Sequence, residues 1–222
     1  MKSSALTLAA SAAFFVSAMP ALAATVIFDD FTDVQVVIDE PFQGTVNTST
    51  IDFGDGTRTL TVENTNDAGQ GGTTFAATLD QEGTGGLSFS NNQGATGIGT
   101  LTYTSVGDID DGSVDPFFFF AVDTFDGEAF FTATALDTFG ISFTYEETIS
   151  GLFDPFLSFS EFAGVDFNSI DTLTFTISSG TNISIDGRLT SISVSAVPLP
   201  AAGFLLIAGL GGLAALRRKK RA

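Results

Sequence analysis

The run Thr172-Leu173-Thr174-Phe175-Thr176-Ile177-Ser178 decides the fold class. Large apolar side chains occupy every second position, and hydroxyl residues fill the places between. A period of two sends successive side chains to opposite faces of an extended strand, so this segment has one dry face and one wet face. The same pattern recurs outward from it. Ile141, Phe143 and Tyr145 alternate with Ser142, Thr144 and Glu146, and Ile192 and Val194 alternate with Ser191, Ser193 and Ser195. Leu60 and Val62 follow Asp52-Phe53-Gly54-Asp55-Gly56-Thr57, which reads as a hairpin closed by an Asp-Gly turn. Phe117 to Phe120 is apolar on both faces and begins just after Pro116, as a central strand would. About a dozen short strands emerge, separated by Gly, Asp and Asn clusters. Helical periodicity is confined to one short turn within Glu161 to Ile170. Strands with a single wet face need a second sheet to cover the other, which predicts an all-β domain: an antiparallel β-sandwich of jelly-roll type. The fixed short repeat of a β-helix is absent.

Composition narrows the function classes. Residues 24–195 form the predicted β-sandwich domain, long enough for a sizeable core. All 26 acidic residues of the chain lie there, opposed only by Arg58 and Arg188. Two positive against 26 negative charges give that domain a formal −24, beyond the −18 of the whole chain. Such a field repels nucleic acid and anionic lipid and attracts divalent cations. Disorder is excluded by the Phe content: 24 in all, most of them in the domain and on the apolar faces of alternating strands, where core is their expected place. The chain has no Cys and no His. Disulfides, Ser-His-Asp and Cys-His nucleophilic sites and ordinary zinc sites therefore cannot be built. Lys is missing between the two ends of the chain, which removes Schiff-base chemistry from the domain. No phosphate-binding glycine loop is present.

The two ends carry an address. Lys2 precedes an uncharged, alanine-rich stretch from Ala5 to Ala18; Pro20 breaks the helix, and Ala21-Leu22-Ala23 fits the small-x-small rule of signal peptidase. Residues 1–23 read as a signal peptide, with cleavage leaving Ala24 as the first mature residue. At the other end, Ala201 to Leu216 is free of charge, and Arg217-Arg218-Lys219-Lys220-Arg221 follows. Sixteen helical residues reach about 24 Å, and the extension back to Val197 brings the segment near the ~30 Å of a hydrocarbon core. By the positive-inside rule the basic cluster stays cytoplasmic, so both ends agree on an exported middle and a single C-terminal transmembrane helix. Ser195 to Pro200, with two prolines, reads as the linker.

Val197-Pro198-Leu199-Pro200-Ala201, an apolar helix and a terminal Arg/Lys run, in that order, resemble the PEP-CTERM class of bacterial sorting signals in its VPLPA spelling. Leu199 stands where the family name has Glu. The resemblance covers residues 196–222 only. It implies that an exosortase, a multi-spanning membrane transpeptidase, reads the signature and processes the tail on the outer side of the membrane. The signal peptide implies passage through the Sec translocon and signal peptidase, and the resemblance implies delivery to the cell surface or extracellular matrix and association with exopolysaccharide and biofilm. A plain C-terminal membrane anchor is the alternative that hydropathy alone leaves open.

Within the domain the densest acidic stretch is Asp108-Ile109-Asp110-Asp111-Gly112-Ser113-Val114-Asp115. Oxygen ligands around a glycine turn suit Ca²⁺, the one cofactor these residues suggest, through Asp108, Asp110, Asp111 and Asp115. The EF-hand spacing fails, since Phe119 stands at the twelfth position, and a solvated acidic turn is the competing reading. Asp186, ahead of Gly187, is similar to an acidic calcium position in some carbohydrate-binding jelly rolls. Pairs such as Asp123 with Asp126, or Glu146 with Glu147, could in principle serve glycoside hydrolysis. The sugar-stacking rings that usually accompany it are few: no Trp, and only Tyr103 and Tyr145. The sequence thus leads to a non-enzymatic exported surface protein, with a carbohydrate- or calcium-binding module as the second reading and a carboxylate-only hydrolase as the third.

Overall fold

The computed structural model describes residues 25–40, 46–65, 71–92, 94–110, 115–151, 156–182 and 184–195. The expected signal peptide with Ala21, Ala23 and Ala24, the expected sorting residues Val197 to Ala201 and the basic cluster Arg217 to Arg221 lie outside them. Among the described residues no helix is long and apolar enough to cross a membrane.

Among the described residues thirteen strands follow one another: β1 (Thr25–Asp29), β2 (Gln35–Asp39), β3 (Asn47–Phe53), β4 (Gly56–Asn64), β5 (Thr73–Leu79), β6 (Gly85–Asn91), β7 (Gly97–Gly107), β8 (Phe117–Phe125), β9 (Glu128–Asp137), β10 (Ser142–Ser150), β11 (Phe156–Ser158), β12 (Ile170–Ser178) and β13 (Asp186–Ser195). They form two antiparallel sheets. The first runs β11-β8-β13-β6-β5-β2, with β1 added on β13; the second runs β10-β9-β12-β7-β4-β3. The chain crosses repeatedly between the sheets, as a jelly roll does, and their inner faces enclose one principal core.

The alternation in β12 is realised as expected. Leu173 and Phe175 are buried between the sheets, and Thr172, Thr174 and Thr176 face outward. The strand pairs with β7 and β9, so it sits in the middle of the second sheet. Register then builds an unbroken threonine row across all six strands: Thr50, Thr59, Thr102, Thr174, Thr134 and Thr144. Hydroxyl pairs along it close at 2.9 Å (Thr50–Thr59), 3.4 Å (Thr102–Thr174) and 2.8 Å (Thr134–Thr144). β-Branched residues suit a pleated, half-exposed surface, and cross-strand hydroxyl pairs stabilise it without charge.

Phe118 is the centre of the aromatic core, fully buried and in ring contact with Phe120, Phe159, Phe162, Phe167 and Phe175. Its strand β8 lies between β11 and β13, an interior place that agrees with the doubly apolar Phe117–Phe120 run. Two local readings shift. The hairpin of β3 and β4 pairs Phe53 with Gly56, so Gly54-Asp55 forms the two-residue turn, not Asp55-Gly56. Gly54 carries the positive φ of +57° that this turn requires at its first central residue. Gly56 is needed for another reason, since a Cβ there would collide with the carbonyl of Thr104 on β7. The helical turn is a single 3₁₀ turn at Phe159–Glu161, begun by the Ser158 hydroxyl, two residues ahead of the expected segment.

Candidate functional site

β11 is three residues long and pairs Phe156 with Phe119, Leu157 with Phe118 and Ser158 with Phe117. Alternation sends Phe118 and Leu157 into the core and leaves Phe117, Phe119 and Phe156 on the outside. The Phe156 ring lies 5.2 Å from Phe117 and 5.1 Å from Phe119, and Phe156 remains 54% exposed. On the second sheet, the edge strand β10 brings up Tyr145, whose hydroxyl donates to Glu147 Oε2 at 3.0 Å. Between these two edges lies a cleft of about 380 Å³, lined by Asp115, Phe117, Tyr145, Phe156, Leu157, Ser158 and Glu161.

Its polar floor is pre-arranged. The Ser158 hydroxyl donates to Asp115 Oδ1 at 2.8 Å and accepts from the Ser160 amide at 3.1 Å, and the Ser160 hydroxyl lies 2.7 Å away. Asp115 holds a φ of +58°, a conformation that Asp tolerates better than most residues. Rings, hydroxyls and carboxylates face the opening, and no cation lines it among the described residues. That chemistry suits an uncharged, hydroxyl-rich ligand: aromatic faces pack on its C–H surfaces, while carboxylates and hydroxyls accept and donate to its O–H groups. Anions are disfavoured.

Of the acidic stretch, Asp108, Asp110 and Asp115 are among the described residues. Asp115 belongs to the cleft, through Ser158. Asp108 Oδ1 accepts the amide of Asp110 at 3.1 Å, a local turn, and Asp111 lies outside the described residues. No three carboxylates converge among the described residues. Asp186 is occupied in a reciprocal clasp: its amide donates to Asp126 Oδ1 at 2.7 Å, the Asp126 amide donates to its carbonyl at 2.9 Å, and the Ser90 hydroxyl bonds its carboxylate. Asp123 lies 3.9 Å from Arg188, which also faces Asp80 at 3.8 Å. These positions pin turns to the first sheet.

Sequence reasoning placed Phe in the core by default, and for Phe130, Phe139 and Phe156 the structure corrects this, since all three are exposed. For Phe156 the cause is pairing: Leu157 is the inward residue of β11, and its neighbour must point out. The buried polar network around Arg58 was also missed. In Thr57-Arg58-Thr59-Leu60-Thr61-Val62, Arg58 shares the inward face with Leu60 and Val62, so the alternation itself signalled a buried cation in need of a partner. Asp29 supplies it, and Gln35 Oε1 accepts from Nε at 3.1 Å. The carbonyl of Asp33 accepts from the third nitrogen, and the Phe31 ring lies 5.7 Å from the guanidinium carbon.

A second cavity, about 90 Å³, lies between the sheets against Phe75, Phe89, Phe120, Phe131, Ile149 and Phe175. Its lining is nearly all hydrocarbon, and with few polar groups to orient a ligand it reads as a packing gap.

No family model and no curated protein sequence matches the chain. Solved structures with a similar course include a family 11 carbohydrate-binding module from a cellulosomal cellulase of Clostridium thermocellum, at 14% identity, covering 72% of this chain and 94% of that one, TM-score 0.33. A second determination of such a module, in solution, gives 16% identity, 83% and 99% coverage and a TM-score of 0.38. An agarase gives 10% identity over 78% of this chain but only 25% of its own length, TM-score 0.42. At these values the likenesses say nothing of ligand or activity for this chain.

Proposed function

We propose that the chain is an exported, non-catalytic surface protein whose β-sandwich holds neutral polysaccharide in the cleft between β10 and β11. The carrying observation is the convergence of Phe117, Tyr145 and Phe156 with Asp115, Ser158 and Glu161 at one opening. Exposed aromatic rings are costly to leave in water unless something covers them, and a sugar chain offers both apolar faces and hydroxyls. A domain of −24 charge selects against anionic polymers, so neutral exopolysaccharide is the ligand class that fits. Export through residues 1–23 and sorting through Val197 to Arg221 would place this domain where such polymers are made.

The test is affinity electrophoresis of the full-length protein in gels containing neutral or acidic polysaccharides. Retardation by a neutral polymer, lost in Phe156→Ala and Tyr145→Ala and without release of reducing ends, supports the reading. Equal mobility of all three proteins in every gel overturns it. For the address, Pro198→Ala with Pro200→Ala should leave the basic tail on the protein in its native host. Intact mass showing Arg217 to Ala222 retained in the wild type would leave a plain membrane anchor.

A further inference from the structure

At one end of the sandwich β2 stops at Asp39, β5 starts at Thr73 and β6 stops at Asn91. Register sets these residues in one row, Asp39 opposite Thr73 and Thr73 opposite Asn91. All three side chains are buried, Asp39 and Thr73 completely. Facing them, β4 stops at Asn64, whose amide donates to Asp39 Oδ2 at 2.7 Å and whose side chain donates to the Gly71 carbonyl at 3.1 Å. The Thr73 hydroxyl donates to Asn91 Oδ1 at 2.9 Å. Two buried polar atoms then have no partner among the described residues: Asp39 Oδ1 and Asn91 Nδ2. A buried carboxylate oxygen left unmatched is costly and rare, and it points to a ligand.

No side-chain cation is at hand to serve. The domain has two arginines; Arg58 is engaged by Asp29, and Arg188 lies beside Asp80 and Asp123. The two ends of an Asn amide occupy nearly the same space, so Asn91 can be turned over. Its Nδ2 then donates to the Thr73 hydroxyl, and its oxygen, like Asp39 Oδ1, is an unmatched buried acceptor. A carboxylate, an amide and a hydroxyl on one register row, in a strongly negative domain, are the donor types of a hard cation. Mg²⁺ asks for near-ideal octahedral geometry and keeps its waters, whereas Ca²⁺ accepts an irregular oxygen set. The exposed neighbours Glu40, Thr65 and Asn92 put solvent one residue away, so an ion has a short path in.

We infer that Asp39, Thr73 and Asn91 form a calcium site that closes this end of the core, separate from the Asp108–Asp115 loop and from the cleft. With one carboxylate, its affinity falls in the range of extracellular modules, roughly 10⁻⁴–10⁻³ M. Binding the folded state alone, calcium raises the melting temperature by mass action.

The experiment is a thermal melt of the full-length protein in CaCl₂, MgCl₂ and NaCl at equal ionic strength, with a calcium isotherm beside it. Expected are one Ca²⁺ per chain and a calcium-specific upward shift that Asp39→Asn abolishes and Asp110→Asn leaves intact. Asn91→Asp adds a second charged ligand and should tighten binding about tenfold. That variant decides the question even if Asp39→Asn does not fold, because an unchanged dissociation constant would overturn the site. Equal shifts from all three salts, or a calcium shift that follows Asp110 rather than Asp39, would overturn it as well.

Discussion

The Arg58 guanidinium grips the Asp29 carboxylate through one nitrogen, 3.0 Å from Oδ1 and 2.9 Å from Oδ2, with both side chains almost completely buried. The pair joins β4 of the second sheet to β1 of the first. Asp29 also accepts from the Phe31 amide at 2.8 Å and the Tyr103 hydroxyl at 2.6 Å, so its charge is spread over four hydrogen bonds. A buried ion pair satisfied in this way adds little net stability over a hydrophobic pair, but breaking it leaves a bare charge inside.

Asp29→Ala should therefore cost about 3–5 kcal/mol, and a double replacement by apolar residues of similar volume much less. Urea unfolding followed by tyrosine fluorescence measures both. A single-variant loss of under about 1 kcal/mol would mean that the pair is solvated.

Tyr103 gives an alkaline signature. Burial first, and then the nearby Asp29 carboxylate, push its phenol well above the ordinary value of 10.0. A raised folded-state pKa means that its stabilising contribution is complete below pH 10 and is lost as pH climbs toward the folded value. Absorbance at 295 nm should show Tyr103 silent in the native protein around pH 10–11, where an exposed tyrosine ionises. Tyr103→Phe should flatten the alkaline loss of stability. An unchanged profile would remove Tyr103 as its cause.

At the acid end Asp30, Asp80 and Asp166 are held below 3.8. The leading causes are the hydrogen bonds that Asp30 accepts from Thr32, Asp80 from the Thr84 amide and Asp166 from the Asn168 side chain. Depressed values mean support present above pH 3.8 and withdrawn as pH falls through the folded values. Carboxyl chemical shifts followed from pH 6 to pH 2 should show these three among the last to protonate. Midpoints at or above 3.8 would contradict the turn geometry.

Two neighbouring glycines should respond very differently to alanine. Gly54 has open space around its Cα and a positive φ, so Gly54→Ala should cost about 1 kcal/mol from backbone strain alone. At Gly56 the added methyl meets the β7 backbone, which cannot yield as a side chain can, and the loss should reach about 3 kcal/mol or more. Chemical denaturation of both variants checks the order; equal losses would contradict the β4–β7 approach.

The aromatic residues should separate in the same way. Phe118→Ala empties the centre of the core and should cost about 3–5 kcal/mol. Phe156→Ala, on the exposed rim, should stay within about 1 kcal/mol while abolishing polysaccharide retardation. A large stability loss at Phe156 would make it a packing residue instead.

Strand identity was legible in the sequence because a period of two is a local property: Thr172 to Ser178 needs no neighbour to declare which side is dry. The sandwich followed, since so many one-faced strands have no other way to stay dry, and the absence of His and Cys bounded the chemistry without any coordinates. What the sequence could not determine is which strand lies beside which. Arg58 finds Asp29 across 29 residues, and Tyr103 finds it across 74. The Asp39–Thr73–Asn91 row exists only because β2, β5 and β6 are neighbours in that register. The resemblance of Val197 to Ala201 to a sorting signature rests on consecutive residues, whereas the cleft of Phe117, Tyr145 and Phe156 draws on three strands from two sheets. Alternation fixes the direction of each side chain relative to its own strand. Its partners are chosen by sheet order, a global minimum over many pairings that local pattern does not encode.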